Sequence, residues 1–199
     1  MNSSERQART ENFWTEISTH DHILHLYDDD ADFLRALEPF IRDGLQNNES
    51  VVVIATSAHL KSAKEWLSGP GMACSAAGRY MPFDAEAVLA RFTMNHWPDA
   101  RLFAKVITGI LAQAAEGGRS VRAFGEMVAL LWEKGQFDAT LRLEHLWNNL
   151  KKVYSFPLLC AYPKSCFAKN NANSLESLCA AHSKMVVPSR LTHNFRPRQ

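Results

Sequence analysis

The stretch from His22 to Thr56 constrains the fold of this chain more than any other part of its sequence. It reads as an apolar strand, a short turn, an amphipathic helix and a second strand, which is how mononucleotide-binding units begin. In the helix, from Asp30 to Gln46, apolar side chains recur at helical spacing, and Asp30 or Asp32 is the expected N-cap. The run from Val51 to Ala55 is β-branched and apolar, which predicts a parallel strand covered on both faces.

The turn after the first strand departs from the mononucleotide-binding pattern. Such turns are usually rich in glycine and end in lysine, because backbone N–H groups and one cation hold the phosphates. Here the turn reads Tyr27-Asp28-Asp29-Asp30. Its carboxylates face the positive end of the following helix, where they stabilise that helix and repel a triphosphate. We interpret the chain as a nucleotide-binding scaffold whose phosphate site has been removed.

Strands and helices are expected to alternate along the rest of the chain. Further strands are predicted at 79–83, 121–124 and 156–162, and helices at 57–67, 84–92, from Pro98 to 115, and over 127–153 with a break at Gly135. This alternation predicts an α/β fold, a mostly parallel central sheet with helices on both faces. We expect the domain to span residues 21–185. Residues 1–20 are expected to form a tail or a short docking helix containing Phe13, Trp14 and Ile17, and residues 186–199 a basic tail.

Composition excludes several classes of protein. The 22 basic and 21 acidic residues leave a net charge of +1, so no general attraction to nucleic acid or to an anionic membrane is expected. The sequence contains no apolar run of membrane-spanning length and no signal-peptide core, so we expect a cytoplasmic protein. The four cysteines include no C-x-x-C pair, which argues against a compact thiolate metal site and favours reduced thiols. Cys160 lies in an apolar strand, where burial raises the pKa of its thiol.

Polar side chains follow several of the expected strands at their carboxyl ends, where ligands bind in an open parallel sheet. They include His59, in the first turn of a helix, Asp84 and Glu126. Glu126 occupies the place where RecA-like ATPases keep an acidic residue for magnesium or water, but without a phosphate-binding lysine it has little to polarise. Arg122 lies at the other end of the same strand, on the same face but far away. We expect a polar ligand site there and no catalytic residue, since no nucleophile motif is present.

Other candidate residues lie in strand and helix interiors. His22 and His25 point to opposite faces of a strand, so a joint metal site is not expected. His22 alone is a candidate for the base of the crevice, and the alternative is a structural, hydrogen-bonded histidine. Glu144 and Asn148 stand four apart on one helical face, where they are expected to line a pocket near Trp147, itself spaced like a core residue.

Seven strings along the chain form a recognisable set: HILHLYDDDADFL, IATSAHL, FDAEAVLARF, PDARLF, VRAFGEMVALLWEKG, LRLEHLWNNL and FPLLCAYP. Together they resemble the MEDS family, the methanogen and methylotroph sensory domain, from about His22 to Phe167. The family is similar to the RecA/KaiC-like fold without its phosphate loop. The resemblance implies a sensory input module, alone or fused to kinases and DNA-binding regulators. It places ten residues on motif positions as candidate ligand-binding residues: His22, Tyr27, Asp29, His59, Asp84, Arg122, Glu126, Glu144, Trp147 and Asn148.

Two details qualify the resemblance. Asn95-His96 stands where the family tends to have an acidic residue and glycine, which affects the local turn. The string LCAAHSKMVVP resembles the family's ending, which implies that His182 belongs to the folded unit.

The leading functional hypothesis is a non-enzymatic sensor that binds a small organic molecule in the crevice, with no cofactor or metal. These residues contain no recognisable kinase or DNA-binding domain, so we expect it to act through a signalling protein such as a histidine kinase or transcription regulator. One alternative is a degenerate KaiC-like nucleotide-binding protein or NTPase that uses Glu126 or the acidic turn with magnesium. A second alternative is a protein-interaction adaptor. A homo-oligomer is compatible with each of the three.

Overall fold

Strands and helices alternate in the computed structural model, which describes residues 16–69, 77–166, 172–187 and 190–193. In chain order they are β1 (His22–Tyr27), α1 (Asp30–Gln46), β2 (Ser50–Ala55), α2 (Ser57–Leu67), β3 (Tyr80–Asp84), α3 (Ala85–Ala90), β4 (Thr93–Met94), β5 (Trp97–Pro98), α4 (Ala100–Ala114), β6 (Val121–Gly125), α5 (Met127–Glu133), α6 (Phe137–Lys151), β7 (Leu158–Pro163), α7 (Ala172–Ala181), β8 (Lys184–Val187) and β9 (Arg190–His193). Helices α1 and α2 have the predicted bounds.

Seven of these strands form one sheet in the order β3-β2-β6-β7-β1-β8-β9. Neighbours from β3 to β8 pair in parallel, and β9 pairs antiparallel with β8. Strands β1, β2 and β7 are buried along their whole length, as continuous apolar runs in a parallel sheet require. The predicted α/β fold with a mostly parallel sheet is confirmed.

Helices cover both faces of the sheet and enclose two cores. Side chains of α1 and α2 pack on one face, around Phe40, Val53 and Leu159. Side chains of α4, α5, α6 and α7 pack on the other face, around Leu24, Phe103 and Trp132. Both faces are therefore apolar and closed, and the polar functional groups of the sheet must lie at its edges or be buried with partners.

Side chains in the turns set the beginnings of the first four helices. Asp29, Thr56, Asp84 and Asp99 lie before α1, α2, α3 and α4, and each accepts a hydrogen bond from a backbone N–H of the first turn. The predicted break between α5 and α6 falls at Gly135, whose φ of 73° is in the left-handed region.

At two places in the sheet, neighbouring strands continue into helices that lie on opposite faces. The helices after β1 and β2 pack on one face of the sheet, whereas those after β6 and β7 pack on the other. Strands β2 and β6 are neighbours, and so are β7 and β1. Adjacent strands whose connections diverge leave a crevice at their carboxyl ends, which is where α/β sheets bind ligands.

The C-terminal part of the described chain differs from its prediction. Residues 186–199 were expected to form a tail, but β8 and β9 extend the sheet into this segment. β8 pairs with β1, so that β1 has a neighbour on each side. Ile17 packs against the core on the α1 face, while Phe13 and Trp14 lie outside the described residues.

Asn95 and His96 form the turn of a small hairpin that β4 and β5 make. Both have positive φ, 49° and 63°, which is the geometry of a two-residue turn of type I′. Met94 pairs with Trp97 across the hairpin, and both side chains are about half exposed.

None of the helices in the described ranges is long and apolar enough to cross a membrane.

Helix α1 approaches the sheet closely at Gly44. A Cβ atom built there would lie 2.6 Å from Cδ of Arg122 and 2.8 Å from Cγ2 of Val51. Arg122 has little room to move, because its buried guanidinium pairs with Asp43 and Glu49. The glycine is therefore required by packing.

We predict that Gly44→Ala destabilises the protein although alanine is the better helix former. The overpacking is expected to lower the free energy of unfolding by about 1–3 kcal/mol. Gly109→Ala in α4 is the matched control, because nothing lies within 4 Å of its added Cβ. That variant should gain about 0.5–1 kcal/mol from helix propensity. Chemical denaturation measures both, and equal stabilisation by the two variants would contradict the close packing at Gly44.

Candidate functional site

Four residues meet at the carboxyl ends of β2 and β6, and we call them the edge cluster: Asp30, Thr56, His59 and Glu126. Nδ1 of His59 lies 2.8 Å from Oε1 of Glu126. The backbone N–H of Thr56 donates to Oε2 of Glu126 at 2.8 Å. On the other side of the ring, Nε2 of His59 lies 3.6 Å from Oδ1 of Asp30. The structure thus brings His59 and Glu126 together, beside the acidic turn.

The surroundings of His59 favour its protonated form. The imidazole stacks on the ring of Phe33, with the centroids 3.8 Å apart. Burial by itself lowers the pKa of His59, but the hydrogen bond and charge of Glu126, with the charge of Asp30, outweigh it and leave this pKa raised. His59 is buried, so its contacts are with the protein rather than with bulk solvent. The pair can exchange or share a proton at the edge of the sheet.

Two carboxylates of the acidic turn, Asp28 and Asp29, bond to other parts of the protein. Asp29 is the N-cap of α1, since its Oδ1 accepts the N–H of Asp32 at 2.8 Å. The expectation that Asp30 or Asp32 caps this helix is therefore wrong, because Asp29 is the residue with extended backbone before the first turn. Asp28 forms an ion pair with Lys164 at 2.6 Å. This pair bridges the carboxyl ends of β1 and β7, the second crevice of the sheet.

Asp84 and Tyr27 lie at the same edge without joining the edge cluster. Asp84 caps α3 and accepts a hydrogen bond from the hydroxyl of Ser57 at 2.6 Å, which lowers the pKa of this carboxyl. Tyr27 is buried, and its ring packs edge-on against Phe33. Both residues shape the edge on either side of His59.

Arg122 lies at the opposite end of β6 from Glu126. Its Nη2 lies 2.9 Å from Asp43, and its Nη1 donates to the carbonyl of Phe40 at 3.0 Å. The side chain is buried at the α1 face of the sheet. The structure therefore separates Arg122 from the other candidate ligand-binding residues.

A second group of polar residues is buried inside the core, and we call it the buried cluster: His22, Glu144, Cys160 and His182. Nε2 of His22 lies 3.3 Å from both Oε2 of Glu144 and Sγ of Cys160. Nε2 of His182 lies 3.5 Å from Oε1 of Glu144. Tyr162 donates a hydrogen bond to the same carboxylate. None of the four is more than 6% exposed.

The sequence predicted only part of this cluster. His22, Glu144 and Asn148 were candidates, and Nδ1 of His22 lies 2.9 Å from Oδ1 of Asn148. Cys160 was expected only as a buried thiol, and His182 only as part of the folded unit. Its position at the end of α7 offered no local signal of the contact, because the partners lie on β1, α6 and β7.

Charge in the buried cluster is concentrated on Glu144. Burial raises the pKa of this carboxyl, but His182 and His22 outweigh the burial, so that the pKa is lowered. Burial, together with His182, lowers the pKa of His22. Burial and the neighbouring Glu144 raise the pKa of the Cys160 thiol well above its usual range, as expected. A protonated, buried thiol is a poor nucleophile.

Trp147 is a core residue. It is buried between Phe103 and Phe156, whose rings meet it edge-on at 5.1 Å and at 6.4 Å. Its indole lies on the same helix as Glu144 but forms no hydrogen bond in the structure. The core interpretation that its helical spacing favoured is the one that the packing supports.

Cys160 and Cys179 are unpaired with other cysteines, and Cys74 lies outside the described residues.

The fold is that of an α/β domain with polar side chains at the carboxyl ends of its parallel strands. Residues 21–183 match the family model described as MEDS: MEthanogen/methylotroph, DcmR Sensory domain. The chain therefore belongs to the MEDS family of sensory domains, and the resemblance inferred from its motifs is confirmed. None of the curated proteins compared with the chain matches it.

We predict that Glu126→Gln lowers the pKa of His59, because the substitution removes the charge that favours the imidazolium. In the native protein this raised pKa adds stability below the ordinary value of 6.5, and the contribution is lost as pH rises through the raised value. NMR titration of the His59 ring measures the pKa directly. Asp84→Asn is the matched control, since Asp84 bonds to Ser57 and not to His59. Unchanged titration of His59 in Glu126→Gln would contradict the pairing.

Proposed function

We propose that this MEDS domain is a non-enzymatic cytoplasmic sensor that binds a small organic molecule at the carboxyl edge of its sheet. The observation that carries the proposal is the His59–Glu126 pair, which lies where the connections of β2 and β6 diverge. Crevices of this kind are the usual ligand sites of α/β sheets. Membership of a sensory family supports the same role.

The charge of the edge favours a particular ligand chemistry. Carboxylates of the residues described above, Asp28, Asp29, Asp30, Asp84 and Glu126, lie there with Lys164 and His59. The side chain of Asp30 is 85% exposed and is accessible to a hydrogen-bond donor. We infer a neutral or cationic molecule that carries hydroxyl or amine groups. A phosphate would meet the repulsion of the acidic turn.

A sensory role is better supported than an enzymatic one. Cys160 contacts His22 in the manner of a catalytic pair, but it is fully buried and its pKa is raised. The His59–Glu126 pair lacks an adjacent phosphate-binding lysine in the acidic turn. We infer that ligand occupancy is passed to a partner regulator or kinase. A scaffold derived from a RecA/KaiC-like fold that has lost its phosphate loop is consistent with this role.

We predict that small alcohols and amines raise the melting temperature of the protein, whereas organic phosphates do not. A ligand at about 100 times its Kd stabilises a protein by about 2.7 kcal/mol, which a thermal-shift panel detects readily. Glu126→Gln should remove the shift. Glu116→Gln, the same change on an exposed residue beyond the end of α4, should keep it.

Asp29→Asn removes one charge from the acidic turn and keeps a side chain that can cap α1. Asparagine is as good an N-cap as aspartate, so the unliganded protein should melt close to the native temperature while its ligand response changes.

Two results would contradict the proposed function. Micromolar binding of MgATP that Glu126→Gln abolishes would favour the degenerate NTPase. No response to any small molecule, with tight binding of a purified histidine kinase to the unliganded protein, would favour the adaptor.

A further inference from the structure

We propose that His22, Glu144, Cys160 and His182 form a closed, four-ligand site for a divalent transition-metal ion, with Zn²⁺ as the preferred ion. Their donor atoms all lie within 4.8 Å of one another. The site lies inside the core, away from the edge cluster. It is independent of the proposed ligand site.

The distances within the buried cluster fit tetrahedral coordination. Bonds of about 2.0–2.3 Å to nitrogen, oxygen and sulfur at tetrahedral angles hold the ligand atoms about 3.3–3.8 Å apart. Nε2 of His22 lies 3.3 Å from Oε2 of Glu144 and 3.3 Å from Sγ of Cys160, and Sγ lies 3.9 Å from the same oxygen. Nε2 of His182 lies 3.5 Å from the other carboxylate oxygen, Oε1. With one donor atom from each residue, all four lie within 4.8 Å of one another, so a rotation of the Glu144 carboxylate and small side-chain shifts enclose an ion.

The second nitrogen of each imidazole is held as ligand histidines usually are. Nδ1 of His22 donates to Oδ1 of Asn148, and that oxygen is identified because Nδ2 of Asn148 donates to the carbonyl of Ala181 at 2.9 Å. Nδ1 of His182 donates to the carbonyl of Leu178 at 2.7 Å. These acceptors require a proton on each Nδ1, and an imidazole whose single proton is on Nδ1 presents its Nε2 lone pair to the cluster, as metal-ligating histidines do.

Hydrogen bonds alone leave the cluster incompletely satisfied. The Cys160 thiol can donate to Nε2 of His22, and Tyr162 donates to Glu144. Nε2 of His182 is fully buried and has no hydrogen-bond partner in the structure. While they are neutral, imidazoles with their Nε2 lone pairs toward Glu144 leave its buried charge uncompensated, whereas a cation held between them compensates it. A metal ion satisfies all four donors at once.

The donor set selects the type of ion. Two imidazoles, one thiolate and one carboxylate suit a borderline ion such as Zn²⁺ better than Mg²⁺ or Ca²⁺, which prefer oxygen ligands. On binding, the Cys160 thiol forms the metal–sulfur bond and releases its proton to solvent. The ion's two positive charges then balance the thiolate and the Glu144 carboxylate. Four protein ligands leave no open position, which is typical of a structural site.

The sequence conceals this site, because its ligands come from four separate elements. They lie on β1, α6, β7 and the residue after α7, with no two closer than 16 positions in the chain. A metal there would fasten the end of α7 and the start of β8 to the centre of the sheet.

The test uses the full chain, purified under reducing conditions with any affinity tag removed. We expect about one Zn²⁺ per chain by elemental analysis. After removal by a chelator, titration with Co²⁺ should give the intense visible bands of tetrahedral cobalt and a near-ultraviolet thiolate-to-cobalt band. The chelator should also lower the melting temperature, and Zn²⁺ should restore it.

Matched cysteine variants identify the ligand. Cys160→Ser should abolish the thiolate-to-cobalt band and weaken metal binding by at least about 100-fold. Cys179→Ser should change neither, since Cys179 is buried and outside the cluster. Glu126→Gln should also leave the cobalt spectrum unchanged, which separates this site from the proposed ligand site.

Three results would overturn the proposal. The first is native protein that retains no metal and gives only the spectrum of octahedral Co²⁺. The second is a melting temperature that neither chelator nor Zn²⁺ changes. The third is loss of the thiolate band in Cys179→Ser with its retention in Cys160→Ser. If Cys160→Ser does not fold, the spectrum of the native protein and His182→Gln decide the question, since His182→Gln should lose tetrahedral geometry.

Discussion

The carboxylate of Glu144 has no contact with solvent, and the packing of one face of the sheet depends on how its charge is compensated. A buried carboxylate is unfavourable unless donors or cations surround it. Here His22, His182 and Tyr162 converge on it from β1, the end of α7 and β7. One charge on α6 therefore holds together parts of the chain that are distant in sequence.

The position of the edge cluster follows from the geometry of parallel strands rather than from the burial of a charge. Parallel strands expose their last polar groups at one edge, and the N-termini of the following helices accumulate there. In this chain, carboxylates occupy those positions, and two of them, Asp29 and Asp84, act as helix caps. The same residues that give the edge its negative potential also begin its helices, so charge and architecture are linked at this edge.

Local signals in the sequence predicted most of the fold. Periodic apolar residues and flanking caps defined α1 and α2, and Gly135 marked the break between α5 and α6. The strands β8 and β9 were missed because each is only four residues long, and because β8 owes its place to pairing with β1, which is distant in the chain. The location of His59 and Glu126 at the same edge followed from reading strand ends, whereas their direct pairing is a finding of the structure. The contacts of His182 did not, because a histidine after a helix has many possible neighbours until the chain is folded.

Each face of the sheet is tied to the strands through its own polar group. The edge cluster joins the first residues of α1 and α2 to the end of β6. The buried cluster joins α6 and the end of α7 to β1 and β7. The helices on the two faces of the central sheet are thus tied to its strands by two separate clusters. Since no residue belongs to both clusters, a substitution that breaks the contacts of one leaves the partners of the other in place.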